Sequence, residues 1–236
     1  AKCVVYILFS TIVTYAAALL IERAREKGAA AGKQKAMVII GILLNLGMLG
    51  IVKYADFVIE NLNLLFRSNL KGLNILLPLG ISFFTFQSTG YMLDVYWKKA
   101  KAEKNFFRYA LFVSFFPQLM QGPISNYRRL APQLTESHSF DWHNISFGVQ
   151  RMIWGFAKKM IIADWAAVFV DAIWGDLDRY NGITLFALVL YGIQLYADFS
   201  GAMDVVLGIS NLLGIRIEEN FRRPYLATAM ADFWKR

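Results

Sequence analysis

The sequence predicts an all-α, polytopic integral membrane protein. Two observations carry this prediction: apolar residues come in long uncharged runs, and basic residues gather in alternate loops between them. Of 236 residues, 57% are hydrophobic and 18% charged, and the mean hydropathy is +0.41. Average soluble domains are about 45–50% apolar and about 25% charged. A soluble core can absorb some excess of apolar residues, so their distribution decides the class.

Five runs free of Asp, Glu, Lys and Arg stand out, at 3–21, 36–52, 72–93, 109–127 and 180–197. Each approaches the roughly 20 residues that cross about 30 Å of hydrocarbon. One such run fits a buried helix of a soluble protein, but five in one chain indicate repeated crossing. Arg23, Arg25, Lys27, Lys33 and Lys35 lie between the first two runs, and Lys98, Lys99, Lys101, Lys104 and Arg108 between the third and fourth. The loop between the second and third sets Lys53, Arg67 and Lys71 against Asp56 and Glu60. Basic residues accumulate in cytoplasmic loops, so 22–35 and 94–108 are expected inside and 53–71 outside. The net charge of +8 is then mostly a topology signal, and no nucleic-acid partner is expected.

The single Cys3 excludes an internal disulfide and a cysteine-based metal site. The chain opens Ala-Lys-Cys and closes Asp-Phe-Trp-Lys-Arg, which reads as a cut through a longer sequence at both ends. Residues 1–236 form a single membrane domain in this reading.

Within that domain three stretches depart from simple spans. Residues 54–66 mix Phe57, Ile59, Leu62, Leu64, Leu65 and Phe66 with Asp56, Glu60, Asn61 and Asn63, and a short interfacial helix is expected. The run 109–127 is interrupted by Pro117, Gly122 and Pro123, with Gln118 and Gln121 between them. Broken backbone at membrane depth needs protein or a water-filled cavity to satisfy it. Basic loops bracket both ends, so this segment is expected to enter and return without crossing. Residues 145–174 interleave apolar positions with Arg151, Lys158, Lys159 and Asp164 and carry Trp154, Trp165 and Trp174. Tryptophan favours the membrane interface, so this segment is expected along the cytoplasmic face or against the interior. Residues 216–236 read as a loop leading into an amphipathic helix.

Candidate chemistry follows from polar groups near apolar runs, which are costly to bury. Asp198, Ser200 and Asp204 follow the last run; they either cap a new helix or line a substrate cavity. Two unpaired carboxylates in an apolar site would tend to be protonated and to titrate into a base. His138 and His143 are the only histidines and sit in the polar loop TESHSFDWHN. A histidine near an acid invites a general-base reading, but a solvated loop explains these two better, and their spacing matches no metal site. Arg222 and Arg223 precede Pro224. Proline favours extended geometry at Arg223, where the side chain either meets a carboxylate or phosphate or anchors the chain to the cytoplasmic surface. No glycine-rich phosphate loop and no G-x-S-x-G elbow is present.

Five ordered blocks carry a family likeness: LLPLGISFFTFQSTGYMLDVYW at 76–97, FVSFFPQLMQGPISNYRRLAPQL at 112–134, WGFAKKMIIAD at 154–164, YGIQLYADFSGAMDVVLGISNLLGI at 191–215 and ENFRRPYLATAMADFWKR at 219–236. They resemble the signature blocks of bacterial membrane-bound O-acyltransferases, nearest the alginate O-acetylating branch, with the teichoic acid D-alanylating branch a close relative. The likeness covers most of 73–236, and the first 70 residues match only in hydropathy. It implies a ring of tilted helices around a funnel, where an acyl donor (acetyl-CoA or a carrier-protein thioester) meets an acceptor hydroxyl without a bound cofactor or metal. The acceptor implied is a cell-surface or exported polysaccharide. A periplasmic or extracellular acyltransferase partner and a multi-pass location in the bacterial plasma (inner) membrane are implied too. Gln118, Pro123, Asp198, Ser200, Asp204, Asn220, Arg223, Tyr225 and Trp234 fall in these blocks and are the candidate funnel or substrate lining. In relatives the block ending Asp-Phe-Trp-basic-Arg continues into Trp-His, with a further histidine later. Neither is present, His138 and His143 do not correspond to them, and no catalytic residue is assigned in this chain. The fragment alone is therefore expected to be inactive. Outside the family, a secondary transporter would show two matching interrupted spans, whereas one interrupted segment is visible. A non-catalytic scaffold for a secreted partner is the remaining alternative.

Overall fold

The computed structural model describes residues 2–236, except the side chains of Lys2, Cys3 and Asn181; the expectations about Cys3 therefore lie outside the described residues. No strand occurs among the described residues, and the chain is an all-α membrane protein. Its helices are α1 (Lys2–Glu26), α2 (Ala31–Phe66), α3 (Ile81–Tyr96), α4 (Phe106–Val113), α5 (Phe116–Leu119), α6 (Tyr127–Thr135), α7 (Trp142–Ala157), α8 (Asp164–Gly175), α9 (Thr184–Leu212) and α10 (Met230–Phe233). A π-helical segment, Lys158–Ala163, joins α7 to α8, and short 3₁₀ turns lie at Asn181–Ile183 and Pro224–Leu226. The helices α1, α2 and α9 contain stretches long and apolar enough to cross a membrane.

The chain divides into two compact units. The first comprises residues up to Met120 with Ile124–Glu136, and the second Gln121–Pro123 with Ser137–Arg236.

In the first unit α1, α2 and α3 pack against one another. The buried positions of α2 are Val38, Gly41, Asn45, Leu49 and Val52, a stripe at helical spacing, while Ile40, Leu43, Leu44 and Ile51 stay exposed, as suits a face turned to lipid. Uncharged polar groups tie the helices together. Asn45 donates from Nδ2 to the Thr85 carbonyl, Ser88 Oγ and Thr89 Oγ1 at 3.1, 3.1 and 2.8 Å. Ser10 and Ser88 hydroxyls lie 2.9 Å apart, and those of Thr14 and Tyr109 2.7 Å apart. Side-chain hydrogen bonds of this kind hold helices together where lipid tails are as apolar as leucine. Below them Tyr91, Tyr109, Tyr127 and Phe112 form one aromatic cluster, with Tyr91 and Tyr109 rings 4.5 Å apart.

Three expectations need correction here. Residues 54–66 are not a separate interfacial helix but the end of α2, because no proline or glycine interrupts 53–66 and the helix propagates until Arg67 turns left-handed at φ 49°. At 1.5 Å per residue, α2 is about 54 Å long and exceeds the bilayer core. The run 72–93 is helical only from Ile81. Pro78 resists a helix interior, and Gly80 is left-handed at φ 74°. A Cβ at Gly80 would lie 1.8 Å from the Leu119 carbonyl oxygen, so only glycine admits this approach of α5 to the start of α3. The run 109–127 is broken as expected, into α4, α5 and the start of α6. Its Gln87 partner donates to the Phe112 carbonyl at 2.9 Å, satisfying backbone near the break.

In the second unit α7 and α9 lie against each other along two glycine pairs. A Cβ on Gly148 would come 2.7 Å from the Gly208 carbonyl oxygen, and one on Gly155 2.5 Å from that of Gly201. The two pairs are each seven residues apart on their helices, so the seam runs for two turns with the backbones in contact. The third correction concerns Asp198, Ser200 and Asp204. They do not cap a new helix: α9 continues through all three to Leu212.

Candidate functional site

The glycine seam sets what its neighbours can reach. Arg151 lies between Gly148 and Gly155 on α7, Lys158 opens the π-helical segment one turn further, and Asp204 lies between Gly201 and Gly208 on α9. With the backbones this close, long basic side chains reach a short carboxylate on the facing helix. Arg151 donates from Nε and Nη2 to Asp204 Oδ1 at 3.1 and 3.0 Å. Lys158 donates from Nζ to Asp204 Oδ2 at 2.5 Å and to Ser200 Oγ at 3.4 Å. The other edge of the Arg151 guanidinium grips Glu219 in bidentate fashion, Nη1 to Oε1 at 2.5 Å and Nη2 to Oε2 at 2.6 Å. Two cations thus meet two carboxylates. The wide π turn places Lys159 on the opposite side of Lys158, where it pairs with Asp164 and Asp198 at 2.7 and 3.0 Å. Such single-turn π segments frequently occur at functional sites.

This network forms one wall of a cavity of about 440 Å³, completed by Gln150, Trp154, Tyr196, Met203, Asn220 and Phe221 among others. Its volume is within the range of small-molecule sites. A second pocket of about 250 Å³ adjoins it through Tyr196, Asn220 and Phe221 and is otherwise mainly aromatic: Phe199, Tyr225, Phe233 and Trp234 line it, with Leu195, Pro224 and Arg236. The segment that closes this pocket is pinned to α9 by the Tyr225 hydroxyl, which donates to the Gly192 carbonyl at 2.7 Å. Its ends meet where the Arg222 amide donates to the Arg236 carbonyl at 2.6 Å. The arrangement joins a charged, hydrogen-bonding wall to an apolar recess.

Of the expected lining residues, Ser200, Asp204 and Asn220 line the charged cavity, and Tyr225 and Trp234 line the aromatic one with Asn220. Gln118 belongs to the first unit, where it donates to Ser125 Oγ; neither it nor Pro123 lines these cavities. Asp198 points away and pairs with Lys159. The premise of two unpaired carboxylates therefore fails: Asp204 carries two cations and Asp198 one. Arg223 is exposed and lines neither cavity. Its backbone is not extended but left-handed, at φ 54°. Such a conformation costs about 1–3 kcal/mol; it reverses the chain into the 3₁₀ turn, where the Arg223 carbonyl accepts from the Leu226 amide at 3.1 Å. His138 and His143 are exposed and line neither cavity.

Sequence reasoning missed Arg151, Lys158 and Glu219. A signal was present: two basic residues seven apart, each three residues after a glycine of a pair itself seven apart, on a helix otherwise apolar toward its neighbour.

Comparison with known proteins extends this picture. The chain matches no family model. It is 36% identical over 206 residues to the probable alginate O-acetylase AlgI of Pseudomonas syringae pv. tomato, covering 84% of this chain and 39% of that protein. It is 35% identical over 226 residues to the peptidoglycan O-acetyltransferase of Helicobacter pylori, covering 84% and 43%. The chain belongs to the membrane-bound O-acyltransferase family. Within it the likeness is to AlgI-type O-acetylases more than to the teichoic acid D-alanyltransferase of Bacillus subtilis, which is 28% identical over 171 residues and matches 69% of this chain. The chain spans about two fifths of the length of the curated relatives it matches.

Proposed function

We propose that the protein transfers an acetyl group to a hydroxyl of a cell-surface or exported polysaccharide. The likeness to O-acetylating relatives over 84% of the chain carries this reading. The two-part cavity supports it, since a sugar hydroxyl and its neighbours suit the charged wall, and an acyl thioester suits the aromatic recess. The donor is acetyl-CoA or a carrier-protein thioester. The acceptor oxygen attacks the thioester carbonyl, the carbon–sulfur bond breaks, the thiolate leaves, and a base takes the hydroxyl proton.

Every ionisable group of the network is already engaged, so its part is to hold and orient rather than to take the proton. The base in this reading is the histidine that the family pattern places after the Asp-Phe-Trp-basic-Arg motif. The protein is multi-pass in the plasma (inner) membrane of a bacterium, with loops 22–35 and 94–108 inside, and it works with a periplasmic or extracellular acyltransferase partner. Impermeant thiol labelling at position 28 in intact cells, after replacement of Cys3, is expected to fail from outside.

The decisive test follows labelled acetyl from donor to polysaccharide in membranes containing the intact protein. Ester formed by the wild type and lost in Asp204→Asn and Arg151→Met variants is the expected result. Movement of a solute across the membrane with no ester formed overturns the proposal in favour of a transporter.

A further inference from the structure

The first unit carries a site of a different character, which the acyl-transfer reading does not use. A cavity of about 500 Å³ lies where the loop after α3 meets α6, lined by Lys101, Lys104, Arg108 and Arg128 around Glu103 and Tyr127. All four cations are exposed, and none of them is in an ion pair among the described residues. Tyr127, Ala131 and Ala102 are buried and form a fixed floor.

The one carboxylate is already engaged by hydrogen bonds. Its Oε1 accepts from the Asn105 amide and its Oε2 from the Tyr127 hydroxyl, each at 2.8 Å. Four cations against one occupied carboxylate leave the cavity strongly electropositive, and mobile Lys and Arg heads around a rigid floor suit a compact, multiply accepting anion. A phosphate group has that chemistry.

The surroundings decide between a soluble phosphate and one carried on a lipid. Phe107, next to Arg108 on α4, is 80% exposed, and Leu111 one turn on is exposed too. Trp97 at the end of α3 is exposed, with the Lys99 ammonium 4.9 Å from its ring. Exposed aromatic and aliphatic side chains beside cations mark the level where hydrocarbon gives way to headgroups, and basic pockets beside membrane helices take anionic headgroups. We propose that this cavity holds the phosphate headgroup of an anionic phospholipid, with the acyl chains lying against Phe107 and Leu111.

The test uses the intact protein purified in a neutral detergent and native mass spectrometry with added phosphatidylglycerol, phosphatidylcholine or inorganic phosphate. Each basic side chain near an anionic lipid is worth about fivefold in binding. Lys104→Gln with Arg128→Gln is therefore expected to weaken phosphatidylglycerol retention by about thirtyfold, while Lys104→Arg with Arg128→Lys retains it. Added salt is expected to weaken retention by the wild type. Equal retention of the two lipids overturns the proposal. So does a glutamine double variant that binds like the wild type, or wild-type binding indifferent to salt. Displacement of the lipid by inorganic phosphate at equal concentration would make this a soluble-phosphate site and equally overturn it.

Discussion

The two units solve the problem of polar groups among apolar helices in different ways. In the first, α1, α2, α3 and α4 are tied mainly by neutral groups, Asn45, Ser10, Ser88, Thr14 and Tyr109, with Arg25 donating to carbonyls at the end of α3. In the second, α7 and α9 are tied by Arg151, Lys158, Asp204 and Glu219. Neutral interhelical hydrogen bonds are inexpensive to bury and contribute modestly, on average about 0.6 kcal/mol in membrane helices. Ion networks are expensive to desolvate and are often no more stable than a packed apolar cluster. A chain that can hold helices with serine and asparagine needs another reason to gather two half-buried cations around the buried Asp204 and the exposed Glu219. The cavity they line is that reason, and the contrast separates packing polarity from functional polarity within one sequence.

The strongest way to break the comparison is to remove the charge on which the second unit converges. Asp204→Ala leaves Arg151 without one of its two carboxylates and Lys158 with only Ser200, and the expected loss is about 3–5 kcal/mol of stability. Thermal unfolding in detergent reads it, alongside loss of acyl transfer. A loss under about 1 kcal/mol would mean that the network is no more than surface pairing.

Next in size is the seam. Gly155→Ala sets a Cβ 2.5 Å from the Gly201 carbonyl oxygen, which is backbone and yields only if the helices part. Overpacking of this kind costs about 1–3 kcal/mol. Because Arg151 and Lys158 then lose their reach to Asp204, activity is expected to fall further than stability does. Gly47→Ala, where nothing lies within 4 Å of the added carbon, is the control.

The neutral counterpart is expected to be milder. Asn45→Ala removes hydrogen bonds to Thr85, Ser88 and Thr89 at an average of about 0.6 kcal/mol each, about 2 kcal/mol together, with acyl transfer unchanged. If Asn45→Ala cost as much as Asp204→Ala, the distinction between the two units would collapse.

A smaller effect is expected with pH. Partial burial pushes the Glu103 carboxyl up, but hydrogen bonds from the Asn105 amide, the Tyr127 hydroxyl and the Lys104 amide, with the Arg108 charge nearby, outweigh it and hold the group below its usual 4.5. A carboxylate lowered in the folded state stabilises it above the unfolded value, and this contribution is lost as pH falls through the folded value. Unfolding temperature should therefore drop as pH falls below about 4.5, and Glu103→Gln should flatten that drop. The smallest effect is expected at the exposed histidines: His138→Gln with His143→Gln keeps most activity, and a fall beyond about a hundredfold would instead indicate general-base catalysis.

What the sequence determined by itself was the class and the hydrophobic layout. Long runs without charge fix helices in lipid, because an unpaired backbone group there costs several kcal/mol and only helices or closed barrels avoid it. The break at 109–127 was legible for the same local reason, since Pro117, Gly122 and Pro123 act within a turn of themselves. Helix ends were less legible. The run 180–197 stops at Asp198, yet α9 carries on to Leu212, because an acid whose partners lie on a neighbouring element does not end a helix. The aromatic half of the site was partly visible through Tyr225 and Trp234, while the charged half was visible only in Ser200, Asp204 and Asn220. The pairing of Arg151 and Lys158 with Asp204, 53 and 46 residues apart, depends on the register of α7 against α9. That register is set by two glycine pairs meeting backbone to backbone, a contact between distant segments that no local pattern of charge or hydropathy encodes.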